Sequence, residues 1–179
     1  SSSTTASKVM MKGTPVALKR RGLTEDTCRK YRITKDGDVL RFHYFDKAGR
    51  VVAAKVKTKD KSFSWDGKNV DNQLFGQQLF PNRQVKNDAL VLYEGELDAA
   101  SGWQALQRLC HMSVPNGAKG AKKALQHVID LTQGYDEIIL FFDHDPEGIS
   151  ATEECAALLP PGKVKIARME KYKDASEAL

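Results

Sequence analysis

Two rhythms of apolar and polar residues divide the chain. Between Val39 and Phe45 the side chains alternate, with Val39, Arg41, His43 and Phe45 on one parity and Leu40, Phe42 and Tyr44 on the other. Such period-two alternation predicts a strand, and the turn DKAGR (46–50) leading into VVAAKVKTK (51–59) completes a β-hairpin. SFSW (62–65) predicts a third strand ahead of a turn at Asp66-Gly67. Upstream, PVALKRR (15–21) predicts a short helix stopped at Gly22. Thr24 then reads as an N-cap, with Glu25 and Asp26 in the first turn of a helix running to about Tyr31. LFGQQLF (74–80) predicts one helical turn with its apolar side packed inward.

From Ala89 the rhythm changes. Short unbroken apolar runs, ALVLY (89–93), MSVP (112–115), EIILFF (137–142) and KVKIARM (163–169), alternate with helical stretches at 97–109, 121–131 and 149–159. Unbroken runs of this length predict strands covered on both faces, and their alternation with helices predicts a parallel sheet flanked by helices. The predicted fold class is therefore α/β, a parallel-sheet unit preceded by a small basic α+β subdomain. The expected organisation is a linker at 1–13, the basic subdomain at 14–88 and the α/β unit at 89–179, with another helix beginning at DASEAL.

Composition adds little and charge distribution adds much. With 41% hydrophobic and 28% charged residues the 179-residue chain is ordinary for a globular protein. No apolar run approaches the roughly 18 residues of a membrane span, and SSSTTASKVMMKG lacks the apolar core of a signal peptide. Cys28, Cys110 and Cys155 show no metal-ligand spacing and are expected to be reduced, buried thiols. The net charge of +5 hides a division: residues 1–88 hold 19 Lys/Arg against 9 Asp/Glu, and residues 89–179 hold 9 against 14. A basic half joined to a carboxylate-rich half suits a polyanion on one side and metal cations on the other.

The acids cluster where strands end. IILFF closes on Asp143-His144-Asp145-Pro146-Glu147-Gly148, and ALVLY closes on Glu94-Gly95-Glu96-Leu97-Asp98. The carboxyl edge of an open parallel sheet is where α/β folds place ligands. Mg²⁺ is commonly held there by one or two carboxylates together with substrate phosphates. Several of these acids also have a plainer role open to them. Asp145 before Pro146 fits an N-cap, and Glu96 and Asp98 favour a helix macrodipole. Asp174 in KYKDASEAL fits either an N-cap or a further metal acid. Glu94 has no such alternative. His144, between two acids, is a candidate supporting group, whereas the other three histidines suit ordinary packing or exposure.

Lys55, Lys57, Lys59 and Lys61 recur at every second residue and are expected to project from one side of an extended strand. Lysines commonly guard edge strands. The same row would also hold triphosphate or template backbone. Arg20 and Arg21 add charge, and PNGAKGAKK (115–123) places lysines, Lys119 among them, beside a Gly-containing turn that suits an anion at a helix N-terminus.

EGELD (94–98) and DHDPEG (143–148), set after the first and third strands of a βαβαβαβ unit, resemble the two motifs of the TOPRIM fold. That fold is shared by DnaG-type primases, topoisomerases, OLD-family nucleases, RecR proteins and ribosomal-RNA maturases. RRGLTEDTCRKY (20–31), VVAAKVKTKDKSF (51–63), LFG (74–76) and KDASE (173–177) resemble the primase part of T-odd phage primase–helicases, relatives of mitochondrial Twinkle. The resemblance implies an RNA polymerase core that makes primers on single-stranded DNA from ribonucleoside triphosphates. It implies residues 89–179 as a TOPRIM domain stopping before its C-terminal end. By the same resemblance, Glu94, Asp143 and Asp145 are catalytic and metal-holding, with Glu96, Asp98 and Asp174 as supporting metal acids. Arg21, Lys55 and Lys61, together with Lys57 and Lys119, contact nucleotide or template. The implied cofactor is Mg²⁺ or Mn²⁺, two ions, with no zinc in this fragment.

The implied partners are a replicative DNA polymerase, a helicase domain on the same polypeptide (hexameric in the family) and a zinc-binding module, the last two not seen in this sequence. No membrane partner is implied. The setting is the cytoplasm of an infected host cell for a phage protein, or an organelle matrix for a Twinkle-type homologue. Two rivals remain at this stage. A TOPRIM nuclease would use the same acids but leaves the lysine-striped hairpin unexplained. A non-catalytic single-strand binder serving a helicase would bind without product. A topoisomerase lacks its tyrosine-bearing cleavage domain here.

Overall fold

A computed structural model describes residues 9–81 and 88–167. Its first unit is built on α1 (Glu25–Tyr31) and four strands, β1 (Ile33–Asp36), β2 (Val39–Phe45), β3 (Val51–Lys57) and β4 (Phe63–Gly67), antiparallel in that order. Thr24 caps α1 as its residue type dictates, its hydroxyl accepting the Thr27 N–H at 3.2 Å. The short segment before it departs from expectation. Only Lys19–Arg21 turn, as a single 3₁₀ turn closed by Gly22 at φ 69°.

The second unit alternates β5 (Ala89–Tyr93), α2 (Glu96–Ala105), β6 (Cys110–Ser113), α3 (Gly117–His127), α4 (Ile129–Thr132), β7 (Glu137–Phe141), α5 (Pro146–Ala157) and β8 (Val164–Ile166). Its sheet is entirely parallel with the order β6-β5-β7-β8. All five residues of β5 are buried, which is why this strand reads as a continuous apolar run. The helix expected at 121–131 is two, parted at Val128.

One apolar core runs through both units. Tyr31, Phe42, Tyr44, Leu74 and Phe75 from the first pack with Leu90, Leu92, Met112 and Ile138 from the second. All three cysteines are buried thiols within it. Polar groups fasten the seam. The Tyr31 hydroxyl donates to the His111 carbonyl at 2.8 Å, and Phe75 and Ser113 exchange backbone hydrogen bonds. The Gln104 side chain accepts from the Thr24 N–H and the Thr27 hydroxyl and donates to the Gly22 carbonyl.

Two differences from expectation bear on function. β1 was not anticipated, because Ile-Thr-Lys-Asp shows too few apolar residues to mark an edge strand. The lysine row does not continue as a strand. β3 ends at Lys57, and residues 58–62 fold into a turn in which Thr58 N–H donates to Ser62 O and Lys61 N–H to Thr58 O. The Thr58 hydroxyl and the Asp60 carboxylate hold this turn from inside, and Lys61 adopts φ 66°.

Candidate active site

Parallel strands β5 and β7 are neighbours, with Tyr93 level with Phe141. Whatever follows each strand therefore emerges side by side. Glu94 follows β5, and its Oε1 accepts the backbone N–H of Asp143 at 3.4 Å. Burial and the nearby Asp143 and Asp145 carboxylates push Glu94 up to about 7. Asp145 caps α5, its Oδ1 accepting the Gly148 N–H at 2.7 Å with Pro146 in the first turn. Capping occupies one oxygen, so the plainer role and the acidic cluster coexist in one residue.

Gly148 decides how close α5 can come. A Cβ at this position would fall on the Asp143 carbonyl, so only glycine lets the helix pack against the loop that carries the acids.

Glu96 and Asp98 stand in the first turn of α2, both buried. Glu96 is held by Lys55, whose Nζ is 3.1 Å from Oε2, and by the Tyr44 hydroxyl, which donates to Oε2 at 2.9 Å. Lys55 also donates to the Pro115 carbonyl at 2.8 Å, and its Nζ sits 4.7 Å from the Phe63 ring centroid. Its side chain is 10% exposed. The lysine expected to meet nucleotide is thus engaged inside the protein, joining the hairpin to the starts of α2 and α3.

The remaining cations have separate places. Lys59 pairs with Asp38 at 3.2 Å on the surface. Lys57, half-buried, is pushed down by desolvation and by neighbouring Arg21 and Lys61, against the pull of Glu96 and Asp98. Arg21, Lys57, Phe63, Glu96 and Asp98 line one small cleft of about 120 Å³. Lys119 stands in the first turn of α3, 3.7 Å from Glu147 at the start of α5. Asp174 lies outside the described residues.

Among the described residues no three carboxylate, imidazole or thiolate groups form a ready cation cage. The donor set nevertheless suits a hard cation that brings its own phosphate ligands. Burial first, then the neighbouring Asp143 and Asp145 carboxylates, raise Glu94 to about 7, a cost that a divalent ion would reduce. His144, between them, is exposed. His43 and His111 are buried and fully engaged. His43 Nδ1–H donates to Arg32 O while Nε2 accepts from Lys12 N–H, and His111 Nε2–H donates to Leu106 O while Nδ1 accepts the Tyr93 hydroxyl proton. Sequence reasoning passed over Tyr44 and Phe63. The signal for Phe63 was its parity with Trp65 at the end of the hairpin sheet.

A four-stranded parallel sheet with acids after its two central strands, joined to a basic antiparallel unit, defines a primase-type catalytic core. The Toprim-like family matches residues 91–179, and the N-terminal α+β fold of bacteriophage T7 DNA helicase/primase matches residues 13–67. The DNA helicase/primase of enterobacteria phage T3 is 35% identical over 166 residues, 89% of this chain and 28% of that protein. The chain thus spans little more than a quarter of its curated relative. The crystal structure of the primase fragment of the bacteriophage T7 primase-helicase superposes with a TM-score of 0.82 at 31% identity, covering 99% of this chain and 79% of that one. A second T7 structure has primase domains of two subunits bound to an RNA/DNA hybrid and dTTP while interacting with the lagging-strand DNA polymerase. It matches with a TM-score of 0.79 at 33% identity, over 93% of this chain and 84% of that one. The chain belongs to the T-odd phage primase family, as a core of the Toprim type. Toprim primases generally use divalent metal. No described helix is long and apolar enough to cross a membrane.

Proposed function

We propose that this chain synthesises RNA primers on single-stranded DNA during phage replication, by transferring ribonucleotides from triphosphates. The observation that supports this reading is the opposition of two charge clusters about the start of α2. Arg21 and Lys57, with Lys61 bearing on Lys57, face the wall formed by Gly95 to Asp98, and Glu94, just before that wall, meets Asp143 and Asp145. A nucleotidyl transfer needs both, cations for the triphosphate and template backbone and acids for metal.

Glu94, Asp143 and Asp145 would hold the divalent ions, with Asp98 and Asp174 as supporting acids. Two Mg²⁺ or Mn²⁺ ions held by these carboxylates would supply Lewis-acid stabilisation of the charge that develops during nucleotidyl transfer. The chain's own groups do the rest. Arg21, Lys57 and Lys61 bind phosphates, and Lys119 adds charge at the α3 turn. Glu94, at the end of β5, is the group placed to take the proton of the attacking 3′-hydroxyl. Lys55 and Glu96 hold the cleft's two walls in register. Within this reading residues 14–88 provide the polyanion face, 89–179 the metal face, and 1–13 a linker. The reaction belongs in the cytoplasm of an infected cell, beside a helicase domain, a zinc-binding module and a replicative polymerase.

Asp145→Asn tests the proposal cleanly, because an asparagine oxygen still caps α5 while the charge is gone. Dinucleotide synthesis with labelled ribonucleotides, degenerate single-stranded DNA and Mg²⁺ is expected to be lost while DNA binding persists. Undiminished synthesis would overturn the assignment. Cleavage of the DNA in place of elongation would favour a Toprim nuclease.

A further inference from the structure

The face of the antiparallel sheet that packs against the second unit runs out beyond its cover. In register along β3 and β4, Lys55 pairs with Trp65 and Lys57 with Phe63, so these four side chains share one face. Trp65 and Lys55 are tucked under the second unit, Trp65 against Tyr44 at 5.3 Å between ring centroids. One rung further on, Phe63 is 53% exposed. Phe63 thus ends a buried face largely uncovered and borders a cleft.

Its neighbours supply a chemical reason. Lys55 Nζ and Lys57 Nζ lie 4.7 Å and 5.8 Å from its ring centroid. Arg21 lines the same cleft, and the start of α2, Gly95 to Asp98, forms the facing wall. Arg21 and Lys61 both bear on Lys57 electrostatically. An exposed ring set beside clustered cations is the arrangement that takes a nucleotide, phosphate on the cations and base on the ring.

We propose that Phe63 is a base-stacking platform at the mouth of the catalytic cleft, holding a nucleobase whose phosphate is bound by Arg21, Lys57 and Lys61. The proposal rests on the polymerase reading only for which nucleotide arrives. The base belongs either to the template strand or to an incoming ribonucleotide. Stacking tolerates all four bases, so the platform contributes affinity without sequence preference.

Binding measurements separate this proposal from catalysis. Fluorescence anisotropy of the 179-residue chain would compare oligothymidylate with an abasic oligomer of equal length, for the native protein, Phe63→Leu and Phe63→Trp. A parallel titration would use ATP and ribose-5-triphosphate as competing probes. For a template base, Phe63→Leu weakens oligothymidylate binding about tenfold, leaves the abasic oligomer unchanged, and is rescued by Phe63→Trp. For a nucleotide base, the same pattern appears with ATP against ribose-5-triphosphate. Equal affinities for Phe63→Leu and native protein on all four probes would overturn the platform, as would equal losses with and without bases. The exposed position makes folding of each variant secure, and thermal melting checks it. Loss of primer synthesis elsewhere in the molecule leaves these readouts intact, so the two readings fail separately.

Discussion

The acidic and basic sides of the cleft are built in opposite ways. The acids come from far apart in the chain, Glu94 and Asp143, and meet because parallel pairing of β5 with β7 puts the two strand ends together. The cations Lys55, Lys57 and Lys61 come from one hairpin and its following turn. Each side is electrostatically uncomfortable alone. Burial with neighbouring carboxylates pushes Glu94 up, and burial with neighbouring cations pushes Lys57 down. One side is prepared for a cation and the other for an anion. Under the proposed function, a nucleoside triphosphate with its metal would satisfy both at once.

If that symmetry is real, breaking it gives unequal costs. The largest effect is expected from Glu94→Gln, which keeps the acceptor for Asp143 N–H but removes a charge. Primer synthesis falls on the order of a hundredfold or more. Without metal, the folded protein gains on the order of 1 kcal/mol, reduced by partial exposure, because like-charge repulsion is relieved. Urea melts in EDTA measure the second half of this prediction, and a destabilised variant would contradict it.

Lys55→Met and Lys57→Met sharpen the basic side. Lys55→Met strands the buried Glu96 carboxylate and costs about 3 kcal/mol by urea denaturation. Lys57→Met instead relieves repulsion, with stability unchanged or slightly higher. Its signature is a log–log salt slope for single-strand binding that falls by about 0.7. Equal stability losses in the two variants would erase the distinction drawn here.

Gly148→Ala tests whether the acids need their close helix. The added methyl displaces the Asp143 carbonyl and is expected to cost about 1–3 kcal/mol and most of the synthesis. Gly162→Ala, with open space around its Cβ, serves as the neutral control.

The smallest effect is in pH. His43 and His111 are pushed down by burial, so the unfolded chain takes up protons first as pH falls through the ordinary imidazole range. Their contribution to stability is present above about 6.5 and is lost below it. Glu94 runs the other way. Its folded-state pKa is raised to about 7, so its contribution is full below about 4.5 and lost as pH rises through 7. Melting temperatures between pH 7.5 and 5.5 should therefore fall more steeply in Glu94→Gln than in the native chain.

How much of this could be read from residues alone follows the same division. The acid cluster was legible because apolar runs ending in acids betray both the strand and its edge. The lysine row was misread because period two in Lys55 to Lys61 overrode the turn chemistry of Thr58, Asp60 and Ser62. Those three side chains bend the chain where the lysine spacing suggests a straight strand. The Lys55–Glu96 pair spans 41 positions and depends on how the units dock, which no local pattern encodes. Phe63 was hidden for a related reason, since exposure at the last rung of a sheet is decided by where the opposing unit stops.

The paired backbone bonds between Phe75 and Ser113 have a further consequence. They attach to β6, an outer strand of the parallel sheet, whose free N–H and C=O groups would otherwise template another chain. The first unit thus acts as a cap on a sticky edge as well as a basic face. Severed after residue 88, the second unit would present that edge together with the apolar ground beneath Tyr31 and Phe75, and self-association would compete with folding. Recombining such cores between lineages is therefore constrained to whole pairs of units, because each half carries the solubility of the other.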